Sequence, residues 1–356
     1  MRVTQGIGMG MGASSFSSTR ITQNMSMNSY TSRLGRVFAN MDLATQKVAT
    51  QRKFLSAIED PASTARAYQL RSNFQKTQDW LGNVNDILDS MDTVDASIRV
   101  MVEMASHTHA KILEARNDTW SIDERMVFAN ELRAMQRTAV QSLNAKFDDK
   151  FLFGGSSTKS LPFELFDNPD GTQTLTFRGI DVTTTDPDQQ ARLREFASEQ
   201  IFVDIGFGLK VDMNENGLPV VTDTSAFNIA MPGLNFLGFG PDPTDNFILN
   251  MGVIANTFEE EPFSHERTAE LAFKMQDQHR NLLLAVTQKG ADTNFLEIRR
   301  GVLEKNSDDL NAKILAVEHV DMAEAIMDMK MAEYVYRAML EMGARILQPS
   351  FIDFMR

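Results

Sequence analysis

From Tyr30 onward, a heptad pattern of mostly apolar residues recurs at alternating gaps of four and three: Tyr30, Leu34, Val37, Met41, Ala44, Val48, then the polar Gln51, Leu55 and Ile58. That alternation is the spacing of a coiled-coil seam, narrower than the face of an ordinary globular helix. It predicts one helix that stops at Glu59-Asp60-Pro61, because proline disfavours helical backbone at the residue before it. A second run, from about Ala62 to Asn117, carries Leu81, Val84, Leu88, Met91, Asp95, Ile98, Val102 and Ala105, widened by Trp80, Ile87, Val94 and Met101. Such a helix would be roughly 80 Å long, which suits a rod or bundle. Asp95 is expected on its exposed side. Ser121, with Glu124 three residues later, forms a capping box. It opens a third helix through Met126, Leu132, Met135, Ala139, Leu143 and Phe147.

The pattern then breaks at FLFGG. Phe151 and Phe153 lie two apart and share a face on extended backbone, and Gly154-Gly155 admits conformations that Cβ-bearing residues avoid. Residues 174–182, 201–213 and 218–222 are β-like, with turn signals at Asp170-Gly171 and Asn216-Gly217. Helical spacing returns near His265 and runs to the end, with a break expected at Lys289-Gly290. The last run has a strict seam of its own: Met322, Ala325, Met329, Ala332, Tyr336, Met339, Gly343 and Ile346. The expected fold is mainly α with an inserted β domain, a long helical bundle or coiled coil being formed by the N- and C-terminal segments. Its parts are a disordered extension over 1–25, a terminal coiled-coil region over 26–61 and 318–356, a helical rod over 62–153 and 262–317, and a mostly-β domain over 154–261. The two seams must cover each other or another subunit, and periodicity alone leaves both open.

Composition narrows the chemistry. A formal charge of −13 over 356 residues argues against nucleic acid and against an anionic membrane surface as partners. No apolar run approaches the ~20 residues that span a bilayer, and the first twenty residues lack the apolar stretch of a cleaved signal peptide. The absence of cysteine removes thiolate catalysis and cysteine-bound metals. Twenty-two methionines supply adaptable apolar contacts. His107 and His109 lie about 200° apart around a helix, so they cannot share a metal. His265-Glu266 is followed by Ala269 where a zinc-peptidase helix would need its second histidine. Glu259-Glu260-Glu261 reads as a solvated linker, and no glycine-rich phosphate loop is present. The sequence presents no catalytic, cofactor or metal constellation.

The segments SRLGRVFANMDLATQKVATQRKFLSAIEDPASTARAYQLRS and MAEAIMDMKMAEYVYRAMLEMGARILQPSFIDFMR resemble the head and tail of the flagellin superfamily. Three features resemble its hook–filament junction members, the hook-associated protein 3 family, rather than filament flagellins. They are Asp60-Pro61 followed by Ala65-Arg66-Ala67 and Leu70-Arg71, FLFGG with Thr158, Pro162 and Phe163 behind it, and the ending ILQPSFIDFMR. The match begins near Ile21. The resemblance implies a structural subunit, not an enzyme, that joins hook to filament by its paired terminal helices. It also implies secretion by the flagellar export apparatus without a cleaved signal. The implied partners are neighbouring copies in a ring, hook-associated protein 1 on the hook side, flagellin on the filament side and an export chaperone. Assembly would fall to Leu34, Val37, Met41, Val48, Leu55, Met322, Met329, Tyr336, Met339 and Ile346, and the domain junction to Phe151, Phe153, Gly154 and Gly155. A filament flagellin is the alternative. An adhesin or enzyme on the central domain would need a polar pocket that the sequence does not show.

Overall fold

The computed structural model describes residues 23–115, 120–169, 171–213, 219–222 and 225–346. In chain order come helices α1 (Gln23–Thr50), α2 (Pro61–Ala115) and α3 (Ile122–Leu143). The hairpin β1 (Lys146–Phe147) and β2 (Lys150–Phe151) follows, then the sheet β3 (Phe163–Asp167), β4 (Gln173–Phe177) and β5 (Ile180–Asp181). Helix α4 (Pro187–Ala197) leads to strands β6 (Phe202–Val203), β7 (Val211–Met213), β8 (Pro219–Val221) and β9 (Phe227–Asn228). The chain closes with α5 (Leu234–Leu237), α6 (Phe247–Glu259), α7 (His265–Glu318) and α8 (Met322–Ile346). The fold is mainly α with small antiparallel sheets in its centre. Most of the extension expected over 1–25, the turn at Asn216-Gly217 and the ending from Leu347 lie outside the described residues.

The chain divides into two compact units: residues 1–71 with 312–356, and residues 72–311. In the first, α1 and α8 pack antiparallel. In the second, α2 and α7 run antiparallel, with Gln78 donating to Ser307 at 2.6 Å and the His109 ring within 3.2 Å of the Ala272 carbonyl. Helix α2 buries most of the expected stripe with its flanking residues: Val84, Ile87, Leu88, Met91, Val94, Ile98, Met101 and Ala105. Asp95 stays on the outer side, paired with Arg99 one turn on. The Ser121 box forms as expected: Ser121 Oγ accepts from the Glu124 amide, and Glu124 accepts from the Ser121 amide at 2.7 Å.

The sheet β3–β4–β5 pairs Phe163 with Phe177 and Leu165 with Leu175. Alternation then aims Phe163, Leu175 and Phe177 into the core. Helix α4, the single turn α5 and helix α6 lie where the sequence suggested no helix. Helix α4 starts on Asp186, whose carboxylate accepts from the Asp188 amide, with proline at its first position. Helix α6 buries ten of its thirteen residues and packs on α3. Gln136 reaches across to donate to the Ile248 carbonyl at 2.8 Å, and Arg133 forks onto Glu259. A helix buried on every side has no apolar stripe, so periodicity cannot find it. The readable signal is the Asn246 cap, which accepts from the Ile248 and Leu249 amides.

The break expected at Lys289-Gly290 does not occur, and α7 runs through it. A Cβ at Gly290 would meet nothing, so the glycine costs the helix only about 1 kcal/mol. The seam continues past it through Leu282, Leu296 and Leu303. Glu259 of the acidic run ends α6 in its pair with Arg133 rather than standing in a solvated linker.

Lys274 of α7 clamps the turn before α6, reaching Asp242 at 2.7 Å and Asp245 at 2.9 Å. Burial would raise the Asp242 pKa, but Lys274 and the Thr244 donors outweigh it and hold the carboxyl at about 2. A depressed carboxyl stabilises the fold above its unfolded pKa and loses that contribution as pH falls through its folded value. Acid titration of stability is therefore expected to steepen between the ordinary 3.8 and about 2. Asp242→Asn should flatten that limb by lowering stability above pH about 4, where the charged carboxyl contributes, and should change little below pH about 2. Superimposable acid limbs for the two proteins would contradict it.

Candidate assembly surface and domain junction

Helices α1 and α8 meet along the two seams. Tyr30, Leu34, Val37, Met41, Ala44 and Val48 are the half-buried positions of one stripe, and Met322, Met329, Ala332, Tyr336 and Met339 those of the other, with Ala325 and Gly343 buried. The Tyr30 hydroxyl donates to the Met339 carbonyl at 2.9 Å, and the Phe38 and Tyr336 rings lie 5.8 Å apart. A Cβ at Gly343 would land on the Tyr30 ring, so the glycine makes room for it. Among the described residues no large side chain of either seam is fully buried. The side chain of Ile346 lies outside the described residues.

The seam does not continue to Ile58. Helix α1 stops at Thr50, where Gln51 takes a left-handed φ of 58°, and Leu55 sits half-buried in irregular backbone. Ile58 is 91% exposed. The chain has to turn here because Asp60 already opens α2, its carboxylate accepting from the Ser63 amide at 3.0 Å. Segment 51–60 is stapled instead to the α7–α8 link. Arg52 and His319 form an antiparallel bridge, the Lys53 amide donates to the Glu318 carbonyl at 2.7 Å, and the Val320 amide donates to the Gln51 carbonyl at 3.2 Å.

Below the staple Arg71 forks onto Glu318, Nε to Oε1 at 2.7 Å and Nη2 to Oε2 at 2.5 Å. Glu318 is the buried partner, its side chain 11% exposed against 53% for Arg71. The carboxylate holds the guanidinium pKa above its ordinary value. Arg71 belongs to the Leu70-Arg71 motif that carries the family resemblance, and nothing in periodicity points to Glu318. Arg71→Met should cost about 2 kcal/mol, because it leaves a buried carboxylate without its cation. Hydrogen exchange at Lys53 and along α8 would register the loss, and unchanged protection there would refute it.

At the junction, Phe151 and Phe153 are both buried. The Phe153 ring lies 5.6 Å from Phe236, and its carbonyl accepts from the Gly233 amide at 3.0 Å. Gly155 has φ 65°, a region that other residues enter at a cost. A Cβ there would strike Glu199 Oε2. Glu199 accepts from the Ser156 amide at 2.7 Å and from Arg178 at 2.8 and 2.9 Å, while Arg178 stacks over Phe196 at 4.0 Å. Burial would raise the Glu199 pKa, but the Ser156 amide and Arg178 prevail and the net effect is downward. The glycine pair thus turns the chain over a carboxylate that sequence reasoning had not singled out.

Among the described residues no group of His, Asp or Glu side chains is placed to hold a metal ion, and no helix is long and apolar enough to cross a membrane. The family model for the bacterial flagellin N-terminal helical region matches residues 21–158, ending just past the glycine pair. Among curated proteins no sequence matches. A solved structure from Vibrio parahaemolyticus, assigned as a flagellar hook-associated protein, aligns with a TM-score of 0.53 at 15% identity over 73% of this chain and 99% of that one. Flagellar hook-associated protein 3 of Legionella pneumophila aligns at 13% identity and TM-score 0.49 over 70% and 98%. FlgL of Bacillus cereus aligns at 14% identity and TM-score 0.45 over 69% and 99%. Residues 21–158 are thus similar to the flagellin N-terminal helical region, and the chain shares its fold with the Vibrio parahaemolyticus protein.

Proposed function

We propose that this chain is a structural subunit of the bacterial flagellum that joins hook to filament and assembles through its paired terminal helices. The observation that carries the reading is the half-buried seam between α1 and α8. A two-helix pair cannot enclose its own apolar stripe, and most helical stability comes from tertiary packing. Leu34, Val37, Met41, Val48, Met322, Met329, Tyr336 and Met339 keep part of their surface in water, and Leu55 does so in the segment that follows α1. Neighbouring copies in a ring would complete that burial, and methionine suits contacts that differ slightly from one neighbour to the next. On this reading the hook side meets hook-associated protein 1 and the filament side meets flagellin. An export chaperone covers the helices before secretion by the flagellar apparatus. A deletion strain should carry hooks without filaments under the electron microscope, and normal filaments on it would sink the proposal.

A further inference from the structure

Helix α7 has a second stripe on its outer face. Leu284, Gln288, Ala291, Phe295, Ile298 and Val302 follow gaps of four, three, four, three and four, and all are exposed, Ile298 at 63%. An unpaired seam of that spacing has the shape of a helix-binding surface. Exposed apolar side chains gathered on one stripe, broken here only by Gln288, are a mark of interaction sites. Beside its middle lies a cavity of about 550 Å³. The Phe207 and Phe227 rings stand nearly parallel to Phe295, with centroids at 6.3 and 6.2 Å. Phe207 is 47% and Phe295 44% exposed. Asn228, Gln288 and Asp292 line the same cavity. Gln288 spends its amide on Asp292 at 3.2 Å, which leaves its carbonyl oxygen to accept. Asn228 spends its oxygen on the Ile201 and Ala230 amides, both at 3.0 Å, which leaves its amide to donate.

Three phenylalanines with a free donor and a free acceptor at the edge match a side chain that is aromatic in body and polar at its tip. The chain carries one on a helix. On α8, away from the seam with α1, Met327, Met331, Tyr334, Ala338 and Met342 form another outer stripe, with Tyr334 72% exposed. Each copy therefore presents one stripe with a tyrosine knob and one with a phenylalanine-lined hole. A head-to-tail contact consumes both and repeats from copy to copy, as a ring requires. We propose that Tyr334 of one copy seats in the Phe207–Phe227–Phe295 cavity of a second copy, with the α8 outer stripe lying along Leu284–Val302. Tyrosine anchored in an apolar pocket is a common source of binding energy at interfaces. The contact rests on the reading of the chain as a repeating subunit.

The chain has no cysteine, so introduced thiols report cleanly. Full-length copies carrying Ala338→Cys, one turn from Tyr334, are mixed with tagged copies carrying Ala291→Cys, one turn from Phe295, together with a short bismaleimide. The mixed adduct should form about tenfold faster than with Ile58→Cys in place of Ala338→Cys, because docking raises the effective concentration. Adding Phe295→Ala to the Ala291→Cys copy should abolish that advantage without altering its melting. Equal rates for Ala338→Cys and Ile58→Cys would overturn the contact. So would closure within single chains of the Ala338→Cys, Ala291→Cys double variant at high dilution. The same pair is then followed in sheared flagella. Adduct in solution with the chain absent from flagella would sink the junction reading alone. Chain present in flagella with no adduct in either place would sink this contact alone.

Discussion

Met339→Asp is expected to part α1 from α8 while leaving residues 72–311 folded. Met339 lies half-buried on the seam and its carbonyl accepts the Tyr30 hydroxyl. A carboxylate introduced there loses hydration and costs about 1–3 kcal/mol. The pair has little to set against that, because two helices of 28 and 25 residues are marginal without tertiary contacts. Residues 72–311 have a separate core around α3 and α6. Hydrogen exchange should show protection lost along α1 and α8 together, with Phe247–Glu259 unchanged. Glu333 sits off the stripe and pairs with Arg337 at 2.6 Å, so Glu333→Asp should change neither. In cells Met339→Asp should leave the hook without an attached filament. Intact protection along α1 would show that the seam does not hold the pair.

Gly155→Val should give the largest loss within residues 72–311. Left-handed backbone costs a side-chain-bearing residue roughly 1–2 kcal/mol. The new Cβ also displaces Glu199 from Ser156 and Arg178, and hydrogen bonds to charged groups contribute about 1.5–3 kcal/mol. A total of about 3–5 kcal/mol would lower the melting temperature by on the order of 10 °C in a domain of this size. Glu199→Ala alone should cost less, and adding it to Gly155→Val should cost less than the sum, because both remove the same contacts. Melting within about 1 °C of the parent would mean that the glycines are only a flexible spacer.

The seams of α1 and α8, the Ser121 capping box and the glycine turn after Phe153 were legible in the sequence because each is local. Spacing, a three-residue cap and the freedom of glycine are properties of a few neighbouring residues. What spacing does not carry is the partner. Tyr30 could be placed on a stripe, but not against Gly343, which lies more than three hundred residues away. The outer edge of each element was also unclear. The stripe from Tyr30 ran on to Ile58 by periodicity, yet the chain leaves the helix at Gln51 to reach the α7–α8 link. Gly290 suggested a break that helix-forming neighbours override. Helix α6 escaped because it is apolar all round, and Glu199 because a lone carboxylate carries no pattern at all.

The staple at segment 51–60 bears on which substitutions the chain tolerates. Its hydrogen bonds join main chain to main chain, Lys53 to Glu318 and Val320 to Gln51. Those groups are the same in every residue but proline. Arg52, Lys53 and His319 are therefore free to drift across most of the amino-acid alphabet without opening the joint, while proline at 53 or 320 deletes a donor outright. A joint written in backbone leaves almost no trace in sequence. A chain whose side chains share nothing with this one could keep the same joint, and a sequence alignment would pass over it.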